Sequence, residues 1–92
     1  MFDLQVEVHC TNPDIFPVYR IFVDNELIVE RTWPHEKYIY IKEQLLLNLE
    51  PGQHTFVLSP YKCPQSTFKI DNPRLNDVYL SNFYQLSFRF EV

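Results

Sequence analysis

The side chains able to do chemistry are few and scattered. The histidines, His9, His35 and His54, fall at no metal-ligand spacing, and the two cysteines, Cys10 and Cys63, lie far apart with no Cys-x-x-Cys pair. Ser59, Ser66, Ser81 and Ser87 sit in no nucleophile motif such as G-x-S-x-G. A phosphate-cradling loop needs several glycines, and the chain has 1. These patterns predict no catalytic residue, no cofactor and no metal site, so an enzyme is not expected. His54, on a predicted strand, reads as packed or capping, and His35-Glu36 after Pro34 reads as a solvated loop. A Cys10–Cys63 disulfide stays open as an alternative to two small half-buried apolar residues, because a reducing cytoplasm disfavours the bond.

The remaining polar groups must be positioned by strands, and the organising stretch runs from Pro17 to Trp33. Pro17 to Val23 is rich in Val, Ile, Tyr and Phe, which suit a pleated, half-buried surface. Asp24-Asn25 interrupts it, and both residue types tolerate positive φ, so the pair predicts a two-residue primed turn. That register sets Phe22 opposite Leu27, Ile21 opposite Ile28 and Tyr19 opposite Glu30. A three-residue loop would instead set Arg20 opposite Glu30, a favourable cross-strand charge pair. Large apolar groups fall on both faces of this hairpin, so it must pack into a larger β structure.

Before the hairpin, Phe2, Leu4, Val6 and Val8 alternate with polar residues, which predicts a strand with one dry face. Thr11 to Asp14 reads as a turn. After the hairpin Pro34 breaks the pattern, since it cannot donate to a ladder. Lys37 to Leu49 reads as one bent strand or two short ones, with a helix from Glu43 to Leu49 as the alternative, because K-E-Q-L-L-L-N-L contains good helix formers. Glu50-Pro51-Gly52-Gln53 is a type II turn signal, with Pro preset and Gly supplying positive φ. His54 to Leu58 is the returning strand, Ser59 to Pro64 a loop, Thr67 to Ile70 a short strand and Asp71 to Arg74 a turn. Val78 to Leu80 is a short strand or loop, and Tyr84 to Val92 is the cleanest alternating strand. Seven or eight short strands with turns between them predict an all-β fold, a single antiparallel β-sandwich, immunoglobulin-like or jelly roll, spanning residues 1–92.

Composition narrows the partners. A net charge of −4, a pI near 5.2 and scattered basic residues argue against a nucleic-acid phosphate binder. No apolar run approaches the ~20 residues that span a bilayer, so no membrane partner is expected. The alternating N-terminus has no positive flank and does not read as a signal peptide. A soluble protein made and kept in a cytoplasm, unless it leaves as part of a particle, is the expectation.

Leu49 to Phe56, L-E-P-G-Q-H-T-F, resembles the corner of fibronectin type III and related immunoglobulin-like sandwiches, which carry L-x-P-G followed by an anchoring aromatic. Here His54 stands near the usual tyrosine position. Tyr19 to Trp33, followed by Tyr38 and Pro51-Gly52, resembles a segment of small uncharacterised proteins of cyanobacterial myoviruses, with the pattern V-D-x-x-L-x-x-E-R-x-W/F. That resemblance covers about half the chain and implies a phage setting, without an activity. It points to a virion structural or decoration protein that binds a capsid or tail assembly, or itself. A carbohydrate-binding module, stacking sugars on Trp33, Tyr38, Tyr40 and Tyr61, is one alternative. An inhibitor of a host enzyme acting by acidic mimicry is another.

The chain carries 15 aromatic residues, more than a small core needs, so part of the apolar surface should mark an interaction site. The hairpin is the expected place, with Tyr19, Ile21, Phe22, Leu27, Ile28 and Trp33 as candidate interface residues. Only one hairpin face can meet the domain's own core. The exposed set is therefore Tyr19, Ile21 and Ile28, or else Phe22 and Leu27. Arg20, Glu30 and Arg31 read either as a latch or subunit contact, or as charges that blunt edge-to-edge aggregation.

Overall fold

The computed structural model describes residues 1–11, 17–34, 40–62, 66–80 and 86–92. Eight strands follow in chain order: β1 (Phe2–Thr11), β2 (Val18–Val23), β3 (Glu26–Thr32), β4 (Ile41–Leu47), β5 (Gln53–Tyr61), β6 (Thr67–Leu75), β7 (Val78–Tyr79) and β8 (Ser87–Glu91). They form two antiparallel four-stranded sheets, ordered β4-β1-β6-β7 and β3-β2-β5-β8, consistent with the expected β-sandwich. Among the described residues none is helical, and no helix is long and apolar enough to cross a membrane.

Alternation assigns the core. Leu4, Val6 and Val8 of β1 and Leu45 and Leu47 of β4 point inward from one sheet. Tyr19, Ile21, Phe56, Leu58, Phe88 and Phe90 answer them from the other. Phe56 and Phe88 stack with ring centroids 4.7 Å apart across β5 and β8. The helix alternative for Glu43 to Leu49 fails because the burial there has period two, with Glu43, Leu45 and Leu47 buried and Gln44 and Leu46 exposed.

Two expected breaks are strand. The Asp71–Arg74 turn is instead a bulge inside β6: Gln5 pairs with Arg74 and Glu7 with Asp71, so Asn72 and Pro73 together oppose Val6. The chain reverses later, at Asn76-Asp77, whose φ values of 49° and 64° make the primed turn. The Ser59–Pro64 loop is also shortened, because β5 continues through Pro60 to Tyr61. Leu58 N–H donates to Leu86 O, away from β2, so by alternation the nitrogen of Pro60 also points away from β2, the strand with which Pro60 pairs. Proline there forfeits no ladder bond with β2.

The corner after β4 carries the chain from one sheet to the other, so β5 pairs with β2 and β8 and not with β4. Gly52 has φ of 129°, positive as its position predicts and more open than the ~80° of a type II turn. Its N–H and C=O exchange hydrogen bonds with Val92 at 3.1 and 3.0 Å, which ties the corner to the C-terminal end of β8.

Candidate functional site

The hairpin reconciles the two registers that its sequence allows. Asp24 and Asn25 form a two-residue turn with φ of 52° and 66°, and Val23 pairs with Glu26 and Phe22 with Leu27. A bulge at Ile28 then shifts the ladder by one residue, so Ile21 meets Val29 and Arg20 meets Glu30. Turn chemistry dictates the tip, and side-chain pairing dictates the far end. Arg20 Nε donates to Glu30 Oε1 at 2.7 Å, and its guanidinium lies 3.7 Å from the centroid of the Tyr61 ring. The hydrogen bond to Glu30 is the main cause that raises the Arg20 pKa.

The structure divides the six candidate interface residues. Tyr19, Ile21 and Trp33 are buried in this chain's own core, at 0%, 0% and 3% exposure. They cannot meet a partner, because β2 turns its odd-numbered side chains inward and Trp33 packs edge-on against Phe68. Phe22 is half-buried and faces outward, while Leu27 and Ile28 are exposed at 49% and 37%. Phe22 pairs with Leu27 on one side and with Val57 on the other. These three side chains therefore form an apolar row across the outer face of the sheet, starting at β3. β3 is the last strand of that sheet, and six of its seven residues are exposed.

Ile28, set aside by the bulge, lines a cleft of about 200 Å³ with Val23, Leu47 and Leu49 on its apolar side. Asp24, Glu26, Glu50 and His54 form its polar side. His54 is held at both ring nitrogens: Nδ1 lies 2.6 Å from Asp24 Oδ2 and Nε2 lies 2.7 Å from Glu50 O. Both partners can only accept when Asp24 is ionised, so the geometry fits the doubly protonated ring. Accordingly the His54 pKa is raised, first by Asp24 and then by the Glu50 carbonyl, and the Asp24 pKa is lowered, first by His54 and then by Thr55 N–H. Asp24 also accepts from Thr55 N at 2.9 Å, which pins the hairpin tip to the start of β5.

One polar cluster was hidden in the sequence. Glu43 sits among inward-facing residues of β4 and is 3% exposed. The Tyr19 hydroxyl donates to its Oε2. Arg31 reaches over from β3, with Nε 2.6 Å from Oε2 and Nη2 2.8 Å from Oε1. Burial first, and then Glu43, push the Tyr19 hydroxyl pKa upward, while Glu43 raises that of Arg31. Arg31 is thus a link between the two sheets, whereas Arg20–Glu30 is a surface pair. The signal was available in period two: Glu43 shares its phase with Ile41, Leu45 and Leu47. Elsewhere, His9 stands on the outer face of the other sheet beside Glu7 and Asp71. Cys10 is half-buried. Cys63, Tyr38, His35 and the Thr11–Asp14 turn beyond Thr11 lie outside the described residues.

Comparison with protein-family models, with curated proteins and with solved structures finds no match to this chain.

Proposed function

We propose that this chain is a non-enzymatic interaction domain that docks on a larger protein assembly through the outer face of its central hairpin. The observation that carries the reading is the apolar row Leu27–Phe22–Val57, which begins at an exposed edge strand. A contiguous apolar row on an outer sheet face, exposed at Leu27 and half-buried at Phe22 and Val57, favours a protein partner. The resemblance of the hairpin to phage proteins supports a virion as that assembly, with the chain as a decoration or accessory component.

Two alternatives receive less support. Sugar stacking needs open aromatic faces, but Trp33 is buried and the Tyr61 ring is covered by Arg20. Tyr40 alone of the described candidates is exposed, and it leans on the His9 ring. Catalysis by His54 is disfavoured because Asp24 and Glu50 already occupy both of its ring nitrogens. The acidic side of the cleft leaves mimicry of an acidic ligand as the second reading, in which one host protein would be captured.

Quantitative mass spectrometry of purified phage particles tests the proposal. The chain is expected at stoichiometric copy, and Leu27→Lys should remove it from particles. Because Leu27 is 49% exposed, stability should change by no more than about 0.5 kcal/mol. Absence of the wild-type chain from particles, or retention of the Leu27→Lys variant, overturns the reading.

A further inference from the structure

Independently of that surface, a second site lies on the outer face of the opposite sheet. Glu7 and His9 are two residues apart on β1 and therefore share a face. Asp71 pairs with Glu7 across β1 and β6, at the edge of the bulge. One ring nitrogen of His9 and one oxygen from each carboxylate lie within 4.8 Å of one another. Among the described residues His9 Nε2, an enclosed atom of a side chain that is 27% exposed, has no hydrogen-bond partner and stands 3.8 Å from Glu7 Oε1, too far for a hydrogen bond. A buried nitrogen left in this way is costly unless something satisfies it.

We infer that Glu7, His9 and Asp71 bind one divalent transition-metal ion, for which zinc is the best match. Zinc takes imidazole nitrogen and carboxylate oxygen in tetrahedral sites, whereas calcium and magnesium favour six or more oxygens. Ligands about 2.0–2.1 Å from zinc stand roughly 3.4 Å apart in a tetrahedron, so small side-chain rotations close the set. Three protein ligands leave the fourth position to water. The carboxylates are already oriented: Asn72 Nδ2 donates to Glu7 Oε1 at 3.1 Å, and Asn72 N donates to Asp71 Oδ1 at 3.0 Å. The Tyr40 ring, 5.5 Å from the His9 ring, covers one side. Lys42 and Lys69 occupy the register positions opposite Glu7 and His9, and they moderate the affinity by repelling the cation.

The test is titration calorimetry of the full chain with zinc chloride and, separately, calcium chloride, backed by the visible spectrum of the cobalt-loaded protein. The expected result is one zinc per chain at micromolar concentration, no calcium binding, and the intense absorption of tetrahedral cobalt. His9→Gln should weaken zinc at least tenfold and abolish the cobalt spectrum, while the metal-free melting temperature stays within a few degrees of wild type. If His9→Gln fails to fold, Asp71→Asn supplies the same comparison. No zinc binding by the wild-type chain, or equal binding by both variants, overturns the site.

Discussion

The Tyr19–Glu43–Arg31 link gives the sharpest quantitative expectation. Glu43 is a buried carboxylate that receives the Tyr19 hydroxyl from the core and a two-pronged Arg31 from the edge. Tyr19→Phe removes one hydrogen bond to a charged group and leaves both Glu43 oxygens on Arg31, a loss of about 2 kcal/mol. For a domain of this size that corresponds to a fall of roughly 8–16 °C in Tm. Glu43→Leu instead strands the Tyr19 hydroxyl in the core, at 0% exposure, a desolvation penalty of about 1–3 kcal/mol. Arg31, whose side chain is 46% exposed, can then turn to water. The double variant Tyr19→Phe/Glu43→Leu leaves no buried polar group in this cluster, so its loss should be smaller than the sum of the two single losses by about 1–2 kcal/mol. Urea unfolding followed by fluorescence reads this directly, because Trp33 is the chain's single tryptophan and is buried against Phe68. Arg20→Met and Arg31→Met provide an internal control: the first loosens a surface pair and should be close to neutral, whereas the second uncovers a buried charge and should not. Additive single losses, or equal effects of the two arginine substitutions, would falsify the reasoning.

Two further outcomes follow from the corner. Gly52→Ala meets no atom within 4 Å, so its cost is backbone strain at φ 129° alone, about 1 kcal/mol or more; a Tm equal to wild type would sink the turn assignment. The His54–Asp24 pair predicts a stability plateau with two limbs. A raised folded-state pKa makes the His54 contribution complete below its ordinary value of 6.5 and lost as pH rises through the raised one. A lowered pKa makes the Asp24 contribution complete above its ordinary 3.8 and lost as pH falls through the lowered one. Melting curves across pH should show both limbs flattened by Asp24→Asn, whereas His54→Gln should abolish the alkaline limb and reduce the acid limb to the part that Thr55 N–H sustains; unchanged profiles would remove the pair's role.

Much of this fold is readable because period two survives wherever one face is dry. Leu4-x-Val6-x-Val8 and Phe88-x-Phe90 place themselves, since a slip of one residue would expose every apolar side chain. The expected Asp71–Arg74 turn failed because residue types that favour turns also favour bulges. Asp71-Asn72-Pro73 needs positive φ at Asn72, where φ is 49°, and a ladder with one extra residue meets that need as well as a reversal does. The hairpin shows the same competition. Asp24-Asn25 demands a short turn and Arg20–Glu30 demands a longer one, and only a bulge at Ile28 satisfies both. That bulge has a functional consequence. It leaves Ile28 with no residue opposite it on β2 and lets it line the acidic cleft, while Leu27 stays in the row with Phe22 and Val57. The two exposed candidates therefore face different surroundings, an apolar sheet face and a polar cleft. The candidate metal cluster was illegible for a related reason. Glu7 and His9 are adjacent on a strand face, but Asp71 joins them only through a long-range register that the β6 bulge sets. No spacing along the chain encodes that pairing. It appears once β1 and β6 are aligned, when the residue that looked like the start of a turn becomes the third ligand.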